Sequence, residues 1–508
     1  MLRKLYEFVA SRRFFYVIVV IFALQAAWIA LTSRYPMAFD ENFHFGLIRI
    51  YSHHWLPFLD SQPPDAAVYG AVARDPSYLY HYVMSFPYRL VAAITASVAV
   101  QIITLRFINV AIVVAALFVY EKVLRFTPLT GAYRNAVLLF FTLLPIMPVL
   151  TGQVNYDGLF IFGVGLSVLL ALQFLERLRG GVFDGWLLIR LAVVCLLSSL
   201  VKYAFLPVFA AIGVYLLVVI ALYIRRTGWH KFRHVFVRGI RHASYLKLVA
   251  YICVSLVAGG LFFQRYGINV VRYHTPLPDC AQVITVQECK QYAPWGRNYA
   301  WAADNIGRPR RDPATYAWGW IKNMMRETFF AVYAAFIGKT HIVGYWGELP
   351  IPVLLHTAWT VLTVGFLLSV VYARRIFRSP AMRFLAVVTL VYVLALFYQN
   401  YQTYREVDVA VSIHGRYLFG IVPFMLAWFA WAAREGFTDV VSRFTLLRRN
   451  GQTLKLATLA VLLLLALQGG GFTTHIVRGA DKWYWQQSQP AMQANRTMQR
   501  ALRTVIFE

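Results

Sequence analysis

The sequence predicts an all-α, polytopic membrane protein with about eleven transmembrane helices. Composition is the first indication, because 59% of the 508 residues are hydrophobic and only 14% are charged, against roughly 25% charged residues in soluble domains. The second is the repeated occurrence of apolar runs of about 20 residues, the length that crosses the hydrocarbon core as a helix. The third is a regular alternation of loops rich in lysine and arginine with loops almost free of them, as expected for a chain that crosses a bilayer many times.

Each apolar run is a candidate span bounded by polar loops. The first run is long enough to cross the membrane and is followed by no small-residue cleavage pattern, so we interpret it as a transmembrane helix and not as a signal peptide. Pro87 and Arg89 make the amphipathic stretch 78–96 a juxtamembrane helix in the first large outer loop, not a further span. The predicted spans are 14–32, 102–120, 135–151, 158–175, 186–203, 205–223, 248–264, 351–372, 383–400, 417–433 and 454–470.

Basic residues set the predicted orientation. The chain has 49 lysines and arginines against 22 acidic residues, a net charge of +27. The bases cluster in alternate loops, most densely between Arg225 and Lys247, which places those loops and the N-terminus in the cytoplasm and the C-terminus outside. The charge is therefore a topology signal and gives no reason to expect nucleic acid as a partner. We expect a multi-pass protein of the plasma (inner) membrane, in contact with membrane lipids.

Two outer loops, 33–101 and 265–350, are long enough to carry function. We assign residues 1–433, including both loops, to one functional transmembrane region, and residues 434–508 to a last transmembrane helix with an outer tail. Cys280 and Cys289 lie together in the second outer loop. A disulfide that closes this short loop is expected outside the cell, where conditions are oxidising.

Two adjacent acids and a histidine follow the first span. The string Phe39-Asp40-Glu41-Asn42-Phe43-His44 has the groups needed for a general base, a divalent metal site or the binding of a polyhydroxyl acceptor. The structural alternative is a helix start, since acidic residues are favoured in a first turn.

Asp157 and Lys202 are charged residues at predicted span ends on the same side. Asp157 lies in Asn155-Tyr156-Asp157-Gly158, so it belongs either to the functional cavity or to the N-terminal cap of the next span. Lys202 lies at the outer end of a span, against the positive-inside bias. It is either an anion partner or a side chain whose stem extends to the headgroups.

A cationic group precedes the span at 417–433. Arg416 has a planar guanidinium suited to phosphate oxygens, and His414 and Tyr417 add hydrogen-bonding groups. The alternative is an interfacial anchor of Arg and Tyr, which is common at span ends. Taken together, these groups place carboxylates beside phosphate-binding cations at the outer interface, which suits the transfer of a group from a lipid phosphate.

Five segments in this order resemble bacterial membrane glycosyltransferases of the GT-C superfamily, and are similar to the protein O-mannosyltransferase and aminoarabinose transferase groups. They are the acidic pair with His44, the Pro-Ser-Tyr-Leu-Tyr-His-Tyr stretch at 76–82, the Asn-Tyr-Asp-Gly loop at 155–158, Ser-Leu-Val-Lys-Tyr at 199–203 and His-Gly-Arg-Tyr-Leu-Phe at 414–419. The resemblance covers about residues 14 to 433.

The resemblance implies a sugar transferase that uses a polyprenyl-phosphate-linked donor, with its active site on the outer face. It implies that Asp40 is the catalytic base, with Glu41 as a neighbouring acid and with His44 and Asp157 close to the acceptor. Donor phosphate binding falls to a set of four residues: Lys202, Arg416, His414 and Tyr417. A divalent cation (Mg or Mn) is compatible with the resemblance but not required by it, with Asp40, His44 and Asp157 as candidate ligands.

Other features of the function are left open by the sequence. The acceptor is a lipid, a cell-envelope glycan or a protein hydroxyl. A secondary transporter is an alternative function, although the chain shows no repeated halves and its charges gather at the outer mouth and not at the midplane. A non-catalytic binder of lipid-linked glycans is a third possibility, and it would tolerate the substitution Asp40→Asn.

Overall fold

The computed structural model describes residues 2–507 apart from 38–39, 60, 145, 242–244, 305–311, 330–333, 338–340, 345–346, 351–362, 444–450, 470–474, 477–483 and 486–489. Apolar helices account for most of these residues because a chain in lipid must satisfy its backbone hydrogen bonds within each segment. The helices of the first part of the chain are α1 (Leu2–Ala10), α2 (Arg12–Thr32), α3 (Glu41–Ser52), α4 (Leu79–Ile94), α5 (Val98–Arg125), α6 (Gly131–Leu143), α7 (Ile146–Thr151), α8 (Asp157–Arg179) and α9 (Gly185–Val201).

The second part of the chain continues in the same way and adds short helices and one small sheet. Its helices are α10 (Leu206–Thr227), α11 (Trp229–Arg241), α12 (Tyr245–Phe262), α13 (Ile268–Tyr273), α14 (Cys280–Val283), α15 (Val286–Cys289), α16 (Ala293–Asp304), α17 (Pro313–Phe329), α18 (Ala373–Ile376), α19 (Pro380–Val407), α20 (Val422–Arg443), α21 (Gly451–Gly469) and α22 (Pro490–Phe507). Single turns at Ala66–Tyr69, Tyr203–Phe205 and Gly415–Leu418 are 3₁₀ helices, and Phe263–Gly267 is a π-helical turn.

The prediction of an all-α polytopic membrane protein is confirmed, and the small sheet within 334–350 is the exception among the described residues. Six helical segments of the described residues are long and apolar enough to cross a membrane: Arg12–Thr32, Val98–Arg125, Asp157–Arg179, Tyr203–Thr227, Leu248–Tyr273 and Pro380–Val407. Helix α9 is apolar but shorter. The predicted span 135–151 is divided between α6 and α7, and most of the predicted span 351–372 lies outside the described residues. The count of eleven therefore stays a prediction.

Helix α8 lies at the centre of the bundle and is the most deeply buried of the six. It packs along α5 on one side and α9 on the other. The Tyr120 hydroxyl of α5 donates to the carbonyls of Ile161 (3.0 Å) and Gly420 (2.7 Å). A Cβ at Gly420 would lie 3.0 Å from side-chain atoms of Phe160 and Val164. The segment before α20 therefore packs against α8. This contact places its candidate site residues, His414, Arg416 and Tyr417, next to the bundle.

Helices α3 and α4 form a layer that covers one end of the bundle, the end at which α2 and α9 finish and α8 begins; we call it the site end. The 78–96 stretch is helical over Leu79–Ile94, as predicted. Arg265, predicted to start the second outer loop, is instead fully buried within a continuous helical segment, and it donates to the carbonyls of Ala73 and Pro57 of the first loop. The loop therefore begins after Tyr273.

The second loop adds the strands β1 (Ala334–Ile337), β2 (His341–Gly344) and β3 (Gly347–Pro350), which form an antiparallel sheet in this order. The disulfide between Cys280 and Cys289 is present, as predicted. Farther along, Trp320 donates from its indole nitrogen to the Asn400 amide oxygen (3.0 Å) and so fastens α17 to α19.

Candidate functional site

Asp40 and Arg416 form an ion pair at the site end, although they are 376 positions apart in the sequence. Asp40 lies immediately before α3 with φ +65° and ψ +31°, a left-handed conformation that aspartate tolerates better than most residues. Its Oδ2 atom is 3.1 Å from Nη2 of Arg416. The Asp40 side chain is 58% exposed and that of Arg416 only 12%. A solvent-facing carboxylate is therefore held by a cation embedded in the protein.

The turn Gly415–Leu418 positions Arg416. Nδ1 of His414 accepts the backbone N–H of Arg416 (3.1 Å), and burial, with a smaller effect of the Arg416 charge, lowers the His414 pKa well below its ordinary value. His414 is therefore neutral and shapes the turn through this acceptor atom. The Tyr417 carbonyl accepts the hydroxyl of Tyr392 on α19 (2.6 Å), which fixes the other end of the turn.

Lys202 and Asp157 form a second ion pair, which is buried. Lys202 Nζ is 2.5 Å from Oδ1 of Asp157, and both side chains are about 95% buried. The Asn155 side chain accepts the Asp157 N–H (2.7 Å) just before α8. The Asp157 carboxylate caps no backbone N–H of this helix and binds the lysine instead. Lys202 is consequently neither directed to the headgroups nor an unpaired cation: Asp157 already provides its counter-charge.

Tyr417 links the two ion pairs. Its ring lies 4.8 Å from Lys202 Nζ and 5.2 Å from the Arg416 guanidinium carbon. Its hydroxyl also accepts from Arg416 Nη2 at 3.4 Å. Tyr156 covers Lys202 from another side, with its ring centre 4.6 Å from Nζ. Aromatic faces attract cations most strongly where water is excluded, so the two positive groups share a single aromatic environment.

Glu41 differs from its neighbour Asp40 in exposure and in ion-pair partner. It is fully buried, and its two oxygens accept a bidentate contact from Arg106 on α5, at 2.8 Å from Nε and 2.7 Å from Nη2. The same oxygens also accept the backbone N–H groups of Met37 (2.7 Å) and Val154 (3.0 Å). With four hydrogen bonds, Glu41 is not available as the second acid of the predicted pair. It is a structural clamp between the first loop, α5 and the segment before α8.

His44 packs against His81, a histidine to which the sequence analysis assigned no role. Its Nδ1 atom is 2.9 Å from Nε2 of His81 on α4, and the two rings are stacked. Tyr156 meets His44 edge-on with ring centres 4.5 Å apart. The structure thus brings His44, Asp157, Lys202, Arg416 and the other predicted residues to one end of the bundle.

Arg106, Asn109 and His81 are the site residues that the sequence analysis missed. Asn109 donates to the carbonyls of Gln153 and Asn155 (2.9 Å to the latter) and accepts from Tyr80 (3.1 Å). A signal for Arg106 was present, since a charged residue inside a span is rare and usually paired. No comparable signal identifies Asn109, whereas His81 lies in the 76–82 stretch of the resemblance, which assigned it no role.

The candidate metal ligands do not form a metal site in this arrangement. Among the described residues, no group of three or more His, Cys, Asp or Glu side chains is placed to hold an ion. Asp157 is engaged by Lys202, and Asp40 by Arg416. Because Asp40, His44 and Asp157 do not converge, no step of the chemistry is assigned to a metal.

The disulfide loop contributes Tyr292 to the wall of the site. The Tyr292 ring lies 5.4 Å from that of Phe43, next to His44, and it also lies against Gly70, where an added Cβ would be 3.4 Å away. Burial raises the pKa of Tyr292, and the negative charge of Asp40 raises it further. Tyr292 therefore faces the region of Asp40 from the second loop.

An open apolar groove of about 440 Å³ lies on the surface of the helices next to the end of α9. It runs between the start of α10 and the π-helical turn, with Leu206, Phe263 and Tyr266 in its walls. The Tyr266 hydroxyl donates to the Ser199 carbonyl of α9 (2.6 Å), one turn before Lys202. The groove and the ion pairs are thus connected through the end of α9.

No family model and no curated protein matches the chain. Among solved structures it is similar to the archaeal oligosaccharyltransferase AglB from Archaeoglobus fulgidus in complex with an inhibitory peptide and a dolichol-phosphate, with 12% identity, a TM-score of 0.45, and coverage of 91% of this chain and 55% of that one. It is also similar to the Archaeoglobus fulgidus oligosaccharyltransferase tethered to an acceptor peptide (13%, 0.45, 91% and 55%) and in the apo form (12%, 0.47, 96% and 60%).

The chain spans less than two thirds of the length of these structures. TM-scores below 0.5 at this identity assign neither a fold family nor an activity, so the function has to be argued from the side chains of this protein.

Proposed function

We propose that this protein is an integral membrane glycosyltransferase that moves a sugar from a polyprenyl-phosphate-linked donor to an acceptor hydroxyl on the outer face of the membrane. The observation that carries the proposal is the ion pair between Asp40 and Arg416 at the mouth of the site. It places a solvent-facing carboxylate, the group needed to deprotonate a hydroxyl, against a guanidinium, the group best suited to phosphate oxygens.

In the proposed reaction, Asp40 takes the proton of the acceptor hydroxyl as the oxygen attacks the anomeric carbon of the sugar. The bond between that carbon and the phosphate oxygen breaks, and its electron pair stays on the leaving polyprenyl phosphate. Attack from the face opposite to the leaving group inverts the anomeric configuration. Arg416 stabilises the phosphate as its negative charge increases, an electrostatic contribution that is commonly the largest single one in such sites.

The two ion pairs give this step a built-in charge balance. Asp40 and Asp157 offset Arg416 and Lys202, so the resting set is neutral. When Asp40 becomes protonated it no longer neutralises Arg416, and this happens as the phosphate gains charge. Lys202 remains paired with Asp157 and holds its ammonium group 4.8 Å from the Tyr417 ring. We therefore assign Lys202 a supporting role, and its direct contact with the donor phosphate stays a prediction.

The apolar groove between the start of α10 and the π-helical turn supports a lipid-linked donor. Its walls are apolar and aromatic side chains, suited to the isoprenoid units of a polyprenyl chain, whose burial is favourable at about 25 cal/mol per Å² of apolar area. A donor with its phosphate at Arg416 and its first isoprenoid units near Leu206 would use both features. The acceptor, whether lipid, cell-envelope glycan or protein hydroxyl, approaches from the side of Asp40 and Tyr292.

The test is sugar transfer from a panel of radiolabelled polyprenyl-phosphate monosaccharides in membranes that contain wild type, Asp40→Asn or Asp65→Asn. Asp65 is a matched control, because it is also an exposed aspartate with left-handed backbone (φ +58°) in the first outer loop. We expect Asp40→Asn to lower transfer about 10²–10⁴-fold, the usual contribution of a general base, and Asp65→Asn to behave as wild type. Equal transfer by all three proteins would disprove the role of Asp40.

A second comparison tests the phosphate contact. Arg416→Lys keeps the charge but loses the planar fork, and Arg416→Ala loses both. We expect donor affinity to fall in the order wild type, Arg416→Lys, Arg416→Ala, measured by binding of a radiolabelled polyprenyl-phosphate sugar to purified protein. Donor affinities that do not differ between the three proteins would remove Arg416 from the donor site.

A further inference from the structure

Helix α11 lies at the end of the bundle opposite to the site end, which we call the far end. Helices α8 and α10 both begin at the site end, next to Asp157 and Lys202, and both finish at the far end. Gly228 separates α10 from α11 with a positive φ of +82°, a conformation that favours glycine. Helix α11 then packs against α9 and α10. It therefore lies on the side that the sequence predicts to be cytoplasmic, away from the candidate site.

One face of α11 is apolar and only partly covered by the bundle. The Phe232 ring is buried, with its centre 5.6 Å from that of Phe183 in the turn between α8 and α9. Phe236, one turn later, lies 5.0 Å from the same ring but remains 37% exposed, and Trp229 is 61% exposed. Tryptophan and phenylalanine at the exposed edge of an amphipathic helix are typical of a helix at the membrane–water interface.

The remaining positions of α11 and the end of α10 are rich in cations. The sequence has no aspartate or glutamate between Asp184 and Asp279, and Asp184 is already paired with Arg177. Four basic side chains of this region are exposed and form no ion pair with any residue that the structure describes: Arg225, Arg226, Lys231 and Arg233.

Cations elsewhere at the far end have carboxylate partners. Acidic residues contribute little to the orientation of a chain in the membrane, so the predicted topology does not explain why they are present in these loops and absent around α11. The positive charge of α11 therefore needs counter-charges from outside the described chain. The paired cations are Arg3 with Glu7, Arg125 with Glu121, Arg177 with Asp184, and Arg375 with Glu435 and Asp439.

An anionic lipid surface supplies such counter-charges at the place where the helix lies. Clusters of about four to eight lysines and arginines next to a span attract lipids with negatively charged headgroups. A soluble polyanion would neutralise the same cations but would leave the exposed rings of Trp229 and Phe236 in water, whereas a headgroup layer accommodates both. The segment 225–247 contains a cluster of this size, formed by Arg225, Arg226, Lys231, Arg233, Arg238, Arg241 and Lys247.

We propose that α11 and the end of α10 form a binding surface for anionic phospholipids of the leaflet at the far end. The cations of this surface bind the phosphate groups of the lipids, while Trp229 and Phe236 enter the headgroup layer. The inference goes beyond the proposed function, because the surface is remote from Asp40 and Arg416 and its test requires no sugar transfer.

The experiment measures lipid binding to the full-length protein, purified and delipidated in a neutral detergent. Phosphatidylglycerol or phosphatidylcholine is titrated in mixed micelles, bound lipids are counted by native mass spectrometry, and size-exclusion chromatography verifies that each protein is folded. The test variant replaces Arg225, Arg226, Lys231 and Arg233 by glutamine and leaves three bases in the loop to maintain its orientation.

Two further variants separate the charge of this surface from other effects. In the first, lysine replaces Arg225, Arg226 and Arg233, so the charge is retained. The second is a matched control that removes the same number of cations from the far end by glutamine substitution, but takes them from the existing ion pairs: Arg3, Arg125, Arg177 and Arg375.

We expect wild type to bind phosphatidylglycerol at least about tenfold more tightly than phosphatidylcholine, since each cation near an anionic surface contributes about fivefold. The glutamine variant should lose this preference. The lysine variant and the matched control should both stay within about threefold of wild type, because they keep the cations of the surface.

Several outcomes would overturn the inference. One is wild type that binds both lipids equally, and another is a glutamine variant that binds phosphatidylglycerol as wild type does. An equal loss in the matched control would show an effect of net charge alone and not of this surface. Inorganic polyphosphate is titrated in parallel as a soluble polyanion. If it binds wild type more tightly than phosphatidylglycerol does, and the glutamine variant loses this binding, the partner is a soluble polyanion and the assignment to lipid is wrong.

Discussion

Replacing Glu41 by glutamine separates its structural role from the catalytic role of Asp40, the residue next to it. The change keeps the size of the side chain but removes the only counter-charge of Arg106 among the described ion pairs, at a position where both side chains are 0% exposed. It also turns one of the two accepting oxygens into an N–H₂ group. That group must then face two donors, the Arg106 guanidinium and the backbone N–H of either Met37 or Val154.

The expected cost is large because the charge cannot reach water. Removing one partner of a buried ion pair destabilises proteins by about 3–5 kcal/mol, and each buried donor left without an acceptor adds about 1–3 kcal/mol. These contributions overlap, so we expect Glu41→Gln to lose about 4–6 kcal/mol, a large part of the 5–15 kcal/mol typical of a folded domain. The double variant Glu41→Gln/Arg106→Met, which removes both charges, should recover part of the loss.

The assay is the midpoint of thermal aggregation of detergent-purified protein, followed by size-exclusion chromatography, with Asp40→Asn as the control. The Asp40 ion pair is partly exposed, and such pairs contribute only about 0–1 kcal/mol, so this variant should unfold near the wild-type temperature. Glu41→Gln should unfold well below it, and the double variant between the two. If Glu41→Gln is as stable as wild type but inactive, Glu41 acts in the chemistry and the assignment as a clamp is wrong.

Three further predictions concern neighbouring features. Lys202→Met leaves the Asp157 carboxylate buried and alone, so it should lower the unfolding midpoint as Glu41→Gln does, and Lys202→Met/Asp157→Asn should be more stable than the single variant. Serine at both Cys280 and Cys289 removes a disulfide across nine residues, which should cost roughly 2.5 kcal/mol of loop stability, seen as faster proteolysis of the second outer loop. Burial lowers the pKa of His81 from 6.5 to about 3 in the folded protein. The contribution of the neutral His81 to folding stability is therefore complete above pH 6.5 and is lost as the pH falls towards 3. The free energy of unfolding, measured against pH in this window, should fall less steeply in His81→Gln than in wild type, by up to about 1.4 kcal/mol per pH unit.

The fold class could be predicted from the sequence because the bilayer imposes it. A long apolar run must be a helix, and the alternation of basic loops orders the runs. Boundaries were less predictable. The predicted span 248–264 ends one residue before Arg265, yet the helix continues to Tyr273 and buries Arg265 against backbone carbonyls of the first loop. A hydropathy scale includes the free energy needed to bury a charged side chain. It does not include the hydrogen bonds to backbone carbonyls that compensate for this burial at Arg265.

The sequence predicts that the site residues lie at one end of the bundle, but it does not predict which of them form ion pairs with each other. Asp40, Asp157, Lys202 and Arg416 are recognisable as charged groups at span ends. That Asp157 binds Lys202 while Asp40 binds Arg416 depends on how α8, α9 and the segment before α20 pack. His81 lies in the 76–82 stretch that contributes to the resemblance, but no role could be assigned to it, because a histidine within an aromatic helix is equally compatible with simple packing.

The different fates of Asp40 and Glu41 follow from one backbone conformation. Asp40 is left-handed and Glu41 is the first residue of α3, so the chain turns sharply between two side chains that a continuous helix would direct to neighbouring positions. One carboxylate consequently points to solvent and the other into the protein, where Arg106 holds it. The buried clamp fixes the start of α3, and with it the position of the exposed carboxylate relative to Arg416. A substitution at Asp40 that disfavours φ near +65°, such as valine, should therefore displace the helix start as well as remove the base, whereas asparagine, which tolerates this conformation, isolates the chemistry.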